Sequence, residues 1–212
     1  MNVLMDLRHL IFPNRCLGCG ILNSGLCKIC LMEWEFQRRV THVQGLRVFA
    51  SVKYSPVVSR ILLAAKENGI HEADLLIGEA LSHSLKEFIK TRRKDVILVP
   101  IPSQKSAVRR RGRAFVFSLT QSLAAENQLH MLTPLYHSRR VHDQSELTAK
   151  QRQTNMSSAL TIGRHSGRGR QVLLVDDLVT SGATLNEAVR ALRNGGFCVV
   201  GAVTAAVALP LG

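Results

Sequence analysis

The chain has 212 residues, 46% of them hydrophobic and 20% charged, a balance that excludes intrinsic disorder and allows one α/β domain of ordinary size plus a small appendage. Its formal charge of +13 points to an anionic partner such as nucleic acid or a polyphosphate, although charge alone speaks only of non-specific attraction. No secretory or membrane-spanning segment is expected, because Asp6, Arg8 and His9 interrupt the apolar residues of 1–14 and the uncharged run 197–211 is shorter than a spanning helix of ~20 residues. The expected location is cytoplasmic.

The first chemistry-bearing stretch holds Cys16-Leu-Gly-Cys19 and Cys27-Lys-Ile-Cys30, two Cys-x-x-Cys knuckles separated by seven residues. Each knuckle lets two thiolates reach one ion from a tight turn, and two of them close a tetrahedral structural zinc site at Cys16, Cys19, Cys27 and Cys30. The alternatives are a redox pair or two accidental pairs. Trp34 and Phe36 are expected to pack the knuckle against the domain C-terminal to it. From Leu46 to Val52 apolar residues alternate, predicting a half-exposed strand with Arg47 and Ser51 outward. Ser55-Pro56 supplies N-cap and N1 chemistry for a helix whose buried stripe is Val58, Ile61, Leu62 and Ala65. A second helix carries Ile77, Leu81, Leu85 and Phe88 on one face. His71 and His83 fall in no metal-ligand spacing.

Val96 to Val99 is a short apolar strand ended by Pro100-Ile-Pro102. The basic stretch after it, with Lys105, Arg109, Arg110, Arg111 and Arg113, reads as a loop at the carboxyl end of a parallel strand, where open α/β sheets bind ligands. The alternative is a solvated basic surface. Val116, Leu119, Thr120 and Leu123 outline another helix, with a turn at Thr133-Pro134 beyond it. Thr148 and Gln151 have capping-box spacing and predict a short helix presenting Arg152 and Asn155. The Gly-rich, basic linker 163–170 is expected to be mobile. The last strand spans 198–209, with Cys198 as a small buried residue.

Between linker and last strand lies QVLLVDDLVTSGATLNEAVRALRN, residues 171–194. Val172 to Val175 predicts a strand buried on both faces, ending on Asp176 and Asp177. Leu185, Ala188, Val189 and Leu192 fall at helical spacing, Thr184 and Glu187 suggest a capping box, and Gly195-Gly196 stops the helix. Backbone N–H groups at such a helix start, with hydroxyls beside them, cradle a phosphate. Two carboxylates would repel that phosphate, so they suit sugar hydroxyls or a metal's waters, and the pair of anchors together suits a ribose 5-phosphate. This device requires both carboxylates and the turn to be open to solvent.

The run Leu174 to Thr184 resembles the phosphoribosyl-pyrophosphate-binding signature of type I phosphoribosyltransferases. The resemblance implies that Asp176 and Asp177 grip the ribose 2′- and 3′-hydroxyls while Thr180, Ser181, Gly182, Ala183 and Thr184 wrap the 5′-phosphate. It also implies that the basic stretch meets pyrophosphate, with Lys105, Arg109, Arg111 and Arg113 as candidates for that anion or for nucleic acid. Almost the whole chain is similar to the ComF family of competence-associated proteins. The features in order are the four-cysteine knuckle, Tyr54 before a helix ending near Lys66, Val99-Pro-Ile-Pro102, Arg111-Gly112, Gln144-x-x-Leu147-Thr148 with Arg152-x-x-Asn155, and the double-Asp loop. Arg113-Ala114-Phe115 departs from the Phe-Asn-Gln or Phe-Asn-His of many relatives, so roles of those side chains are not carried over.

The expected fold is therefore α/β, a type I phosphoribosyltransferase-like parallel sheet flanked by helices, with a zinc-knuckle segment at 1–45 and the phosphoribosyltransferase-like domain at 46–212. The resemblance implies phosphoribosyl pyrophosphate as ligand, magnesium with it, structural zinc, and a part in uptake of single-stranded DNA beside a helicase-like competence protein. Lys105 to Arg170 holds twelve Lys or Arg against three Asp or Glu, enough to track a phosphate backbone if they share a face. Aromatic content of 5% leaves few stacking platforms for bases. The alternative function is an active phosphoribosyltransferase, a pentosyltransferase, of nucleotide salvage or biosynthesis unrelated to DNA uptake. No residue reads as the acceptor-base reader, and none is assigned a catalytic role.

Overall fold

The computed structural model describes residues 15–22, 25–91, 95–138, 158–163 and 166–208. Its frame is a five-stranded sheet built from β1 (Arg39–Val43), β2 (Leu46–Lys53), β3 (Ile97–Pro100), β6 (Gln171–Val179) and β7 (Cys198–Val207), in the order β1-β2-β7-β6-β3. The last four strands in that order run parallel, and β1 is an antiparallel edge. A separate antiparallel pair joins β4 (Leu135–His137) to β5 (Leu160–Ile162). The helices are α1 (Lys28–Glu33), α2 (Pro56–Lys66), α3 (His71–Ile89), α4 (Lys105–Arg111), α5 (Phe115–Asn127) and α6 (Ala183–Asn194). One apolar layer joins the sheet to α2, α3 and α5; a second joins its other face to α6 and the β4–β5 pair. Burial on both faces is why Val172 to Val175 carries no polar residue.

The expected helices form for the expected reasons. The Ser55 hydroxyl accepts from the Val58 N–H at 3.3 Å with Pro56 at N1, and Val58, Ile61, Leu62 and Ala65 are buried. Ile77, Leu81, Leu85 and Phe88 of α3, and Val116, Leu119, Thr120 and Leu123 of α5, are buried likewise. Trp34 is buried in the layer around α2, and Phe36 packs on the edge of that layer.

Several expectations are corrected. Ser51 does not face outward: β2 lies between β1 and β7, and the Ser51 hydroxyl donates to the Ala80 carbonyl at 2.7 Å and meets Ser84 and His83. The basic stretch is the short helix α4 rather than a loop, ended by Gly112 in the left-handed region at φ 71°. Thr184 and Glu187 form no capping box. Gly182 is the N-cap, and the buried Glu187 instead accepts from the Leu160 N–H at 3.0 Å and from Arg190 at 2.7 Å, tying α6 to β5.

Cys198 is exposed, and Phe197 takes the buried place beside it. In the described part of the linker, the Gly167 and Gly169 N–H groups donate to the carbonyls of Gly195 and Gly196, so 166–170 is pinned to the end of α6. A Cβ on Gly167 would lie 2.2 Å from the Gly196 backbone, which is why glycine is needed there. β1 is a strand the sequence pattern does not announce, and it pairs with β2 across the boundary expected at 45/46. The helix expected from Thr148, with Arg152 and Asn155, lies outside the described residues.

Candidate functional site

Strand β6 is longer than its apolar run. It pairs with β3 only as far as Val175 opposite Pro100, but continues beside β7 to Val179 opposite Val207. Asp176 and Asp177 therefore lie inside the strand, at the carboxyl edge of the sheet, where the strand has lost its neighbour on one side. By strand alternation Asp177 shares the face of Leu173 and Val175, which is covered by α2. There the Lys66 ammonium at the end of α2 donates to Asp177 Oδ2 at 2.6 Å. The Asp176 carboxylate accepts from the Asp177 N–H at 2.9 Å.

Both acids are buried, with 8% of Asp176 and 4% of Asp177 exposed. This corrects the expectation of two open carboxylates: in this structure Asp177 grips an ammonium rather than facing solvent. Burial, reinforced by the neighbouring Asp177 charge, pushes the Asp176 carboxyl well above the usual range. Burial opposes ionisation of Asp177 as well, but the Lys66 charge and hydrogen bond outweigh it and hold that carboxyl below its ordinary value. Burial likewise works against the Lys66 charge, and the two aspartates more than restore it. The two neighbours are thus shifted in opposite directions, Asp176 holding its proton more tightly than an ordinary carboxyl and Asp177 less.

After Val179 the chain turns through Thr180 and Ser181, both half-buried, into α6. Gly182 has φ 73°, and a Cβ there would meet Val43 Cγ1 at 2.4 Å, so β1 closes on the turn at a spot only glycine fits. No side chain caps α6, and its first turn carries no acid. The turn is tightly built, with Gly182 and Ala183 buried and Thr180, Ser181 and Thr184 half-buried.

The basic candidates separate into three kinds. Lys105 and Arg109 are exposed and have no ion-pair partner among the described residues. Arg111 donates through Nη2 to Glu67, whose second oxygen accepts from Arg110 at 3.2 Å. Arg111 pulls the Glu67 carboxyl below its usual range. Arg113 forks onto Asp74, one arm at 2.8 Å, reaches the Ala65 carbonyl, and lies over the Phe115 ring at 5.1 Å. It serves as a pin between α2, α3 and the start of α5.

Sequence reasoning assigns no role to Lys66 or Glu67, because Lys66 and Asp177 are 111 residues apart in the chain. Nor does it single out His137. The Nε2 of that residue lies 3.0 Å from the Pro102 carbonyl just past β3, which fixes the proton on that nitrogen. Its Nδ1 is buried without a partner, and burial lowers the pKa of the ring.

The knuckle is the most complete candidate metal centre. The sulfurs of Cys16, Cys19, Cys27 and Cys30 all lie within 4.8 Å of one another, with Cys19 and Cys27 at 3.7 Å. Zinc–thiolate bonds of about 2.3 Å in a tetrahedron place sulfurs ~3.8 Å apart, so the four residues fit zinc. The Cys27 N–H donates to Cys16 Sγ at 3.3 Å. Burial opposes the Cys16 thiolate, yet this and neighbouring N–H donors bring it down to about 6. A Cβ on Gly18 would meet Cys30 Sγ at 2.7 Å and Val57 at 2.8 Å, so the knuckle lies hard against α2, where Arg60 also donates to the Gly18 carbonyl at 2.9 Å. Two cavities of about 290 and 370 Å³ flank the knuckle, and neither touches Asp176, Asp177 or the turn after them.

Residues 74–208 match the phosphoribosyl transferase domain, well over half of the chain. The chain belongs to the phosphoribosyl transferase domain family. Among solved structures this chain is similar to an adenine phosphoribosyltransferase at 10% identity over 85% of this chain and 89% of that one, with a TM-score of 0.46. It is similar to the Saccharomyces cerevisiae adenine phosphoribosyltransferase at 10% identity over 84% and 87%, with a TM-score of 0.43. The orotate phosphoribosyltransferase from Aeropyrum pernix is similar at 15% identity over 84% and 78%, with a TM-score of 0.39. No curated protein matches the chain. The knuckle, α2 and the Lys66–Glu67 pair all precede the segment that matches the phosphoribosyltransferase domain. No helix among the described residues is long and apolar enough to cross a membrane.

Proposed function

We propose that this phosphoribosyltransferase-family protein binds phosphoribosyl pyrophosphate at the end of β6 and is ComF-like, acting in the cytoplasm in uptake of single-stranded DNA. The observation that supports it most is continuity: the double-Asp run at the carboxyl edge of the sheet passes through Thr180 to Thr184 directly into the uncapped start of α6. Thr180, Ser181, Gly182, Ala183 and Thr184 would hold the 5′-phosphate through hydroxyls and first-turn N–H groups. Asp176 and Asp177 would accept the ribose hydroxyls once Lys66 gives way, because its ammonium fills the same acceptor. Lys105 and Arg109 are open to meet the departing pyrophosphate, Arg111 would join them once Glu67 gives way, and Arg113 is held by Asp74. Asp176 and, once Lys66 has moved, Asp177 would hold the waters of a magnesium bound with the ligand, which would supply charge neutralisation of the pyrophosphate.

Displacement of pyrophosphate from C1 passes through an oxocarbenium-like state, and fixed donors around the leaving group are what such a step needs. The knuckle of 1–45 is a structural zinc appendage joined through β1 to the domain of 46–212. Calorimetry with phosphoribosyl pyrophosphate, with and without magnesium, tests the pocket. Wild type binds in magnesium and Asp176→Asn/Asp177→Asn weakens binding by about tenfold or more, the cost of losing charged acceptors. Absence of binding to wild type overturns the pocket. Pyrophosphate release across a panel of bases separates an enzyme from a binding module. Lack of single-stranded DNA binding at low salt removes the DNA-uptake part, including the helicase-like partner.

A further inference from the structure

The last turn of α2 touches both halves of the candidate site. Lys66 pairs with Asp177, and the next residue, Glu67, pairs with Arg110 and Arg111. A cation thus lies on the acid side of the site, and an anion lies on the basic side. Both come from a segment that precedes the match to the phosphoribosyl transferase domain.

The Glu67 carboxylate fits the guanidinium of Arg111 incompletely. Arg111 is mostly buried, with 13% of its side chain exposed, and while Nη2 is taken by Glu67, its Nε is buried and has no acceptor among the described residues. A buried donor left unpaired is costly, and Glu67 leaves Nε open because its second oxygen is turned to Arg110. A pyrophosphate carries oxygens on two phosphorus centres and can meet the Nε–Nη2 edge of Arg111 and the Arg110 guanidinium together. Glu67 itself is 30% exposed, so an anion can approach it from solvent.

We propose that Glu67 is an internal competitor for the pyrophosphate subsite, occupying Arg110 and Arg111 until a di-anionic or poly-anionic phosphate displaces it. Lys66 does the complementary duty at Asp177. The inference rests on the proposed phosphoribosyl-pyrophosphate pocket and assigns to Glu67 a part in setting its affinity. In this scheme the affinity of the free site is held down by a contact that must break on binding.

Calorimetry with inorganic pyrophosphate and magnesium on wild type, Glu67→Gln, Arg111→Gln and the double variant tests it. Glu67→Gln keeps the size of the side chain and removes its charge. It tightens pyrophosphate binding between about twofold and tenfold, the range expected for one partly exposed charge contact. The gain shrinks in the Arg111→Gln background, because only the more exposed Arg110 contact is then left to break. If wild type binds and Glu67→Gln binds equally or more weakly, the competition is overturned while the pocket stands. If Glu67→Gln tightens binding equally with and without Arg111, the effect is diffuse charge and the contact is overturned. If neither wild type nor Glu67→Gln binds pyrophosphate, the pocket and the competition fall together.

Discussion

The cysteine knuckle and the acid–base site at the sheet edge are assembled in opposite ways. At the knuckle, four like ligands from fifteen consecutive residues converge, Cys16 to Cys30, with sulfurs already within 4.8 Å of one another. At the sheet edge, unlike groups from β6, α2 and α4 meet and neutralise each other in pairs, Asp177 with Lys66 and Arg111 with Glu67. Four converging thiolates are the donor set of a tetrahedral cation. Opposite charges that pair with each other satisfy themselves, so a ligand there must compete with the protein's own side chains. A site rich in the right residues can therefore be closed, and the contrast lies in whether the fold supplies counter-charges from a distant element.

The largest expected effect lies at the knuckle. Cys30→Ser, or a strong chelator, removes zinc and unfolds residues 16–34 away from α2, since metal affinity at such sites is about 10–16 kcal/mol at neutral pH and is folding energy. Metal analysis and protease sensitivity of this segment read it; a Cys30→Ser protein that keeps full zinc and the same protection would break the comparison.

Next in size is the acid pair. Asp177→Asn strands the Lys66 ammonium and lowers stability by about 2 kcal/mol near neutral pH, less than a fully buried pair would cost because Lys66 is 29% exposed. Asp176→Asn costs less than Asp177→Asn, because burial and the neighbouring Asp177 already work against a charge on that carboxyl. Asp177, with its folded pKa depressed, contributes stability above its unfolded pKa that is lost as pH falls through the folded one. Asp176, with its folded pKa raised, costs stability as pH climbs from the ordinary carboxyl range toward the folded value. Urea unfolding at acid and neutral pH separates them, and equal losses from both variants at neutral pH would contradict the asymmetry.

Arg113→Lys, which cannot fork onto Asp74, costs about 1–2 kcal/mol in thermal or urea unfolding while leaving pyrophosphate affinity unaltered. A weakening of pyrophosphate binding to match Arg111→Gln would move Arg113 from pin to ligand. The smallest effect belongs to exposed Arg109. Arg109→Gln changes stability by less than about 0.5 kcal/mol, and it lowers the salt slope of single-stranded DNA binding by roughly 0.7 if the residue meets a phosphate.

The knuckle is legible in the sequence because metal-ligand spacing is local: each Cys-x-x-Cys pair is one turn, and the fold only brings two turns together. Helix stripes such as Ile77, Leu81, Leu85 and Phe88 are legible for the same reason. Ser51 is not, because a lone hydroxyl in a strand carries no mark of the helix carbonyl it will meet, here that of Ala80. Glu187 misleads because its spacing from Thr184 imitates a capping box, while its actual partner, Leu160, belongs to β5. Arg113 cannot be told from Arg109 by composition; only Asp74 on α3 distinguishes them.

The parallel sheet was implied by the family resemblance; by itself the sequence determined the apolar strand at Val172 to Val175, the buried stripes of α2, α3, α5 and α6, the clustered cysteines and the strand-to-helix run that carries the family signature. All of these are encoded in periodicity and spacing over fewer than about twenty residues, where side-chain direction follows from backbone geometry. Which acid holds its proton more tightly, which arginine is paired and what stands in the way of a ligand were decided only in three dimensions. Ionisation and access depend on burial and on opposite charges a few ångströms away, and here those charges arrive on α2, far from β6 in the chain and one hydrogen bond from it in space.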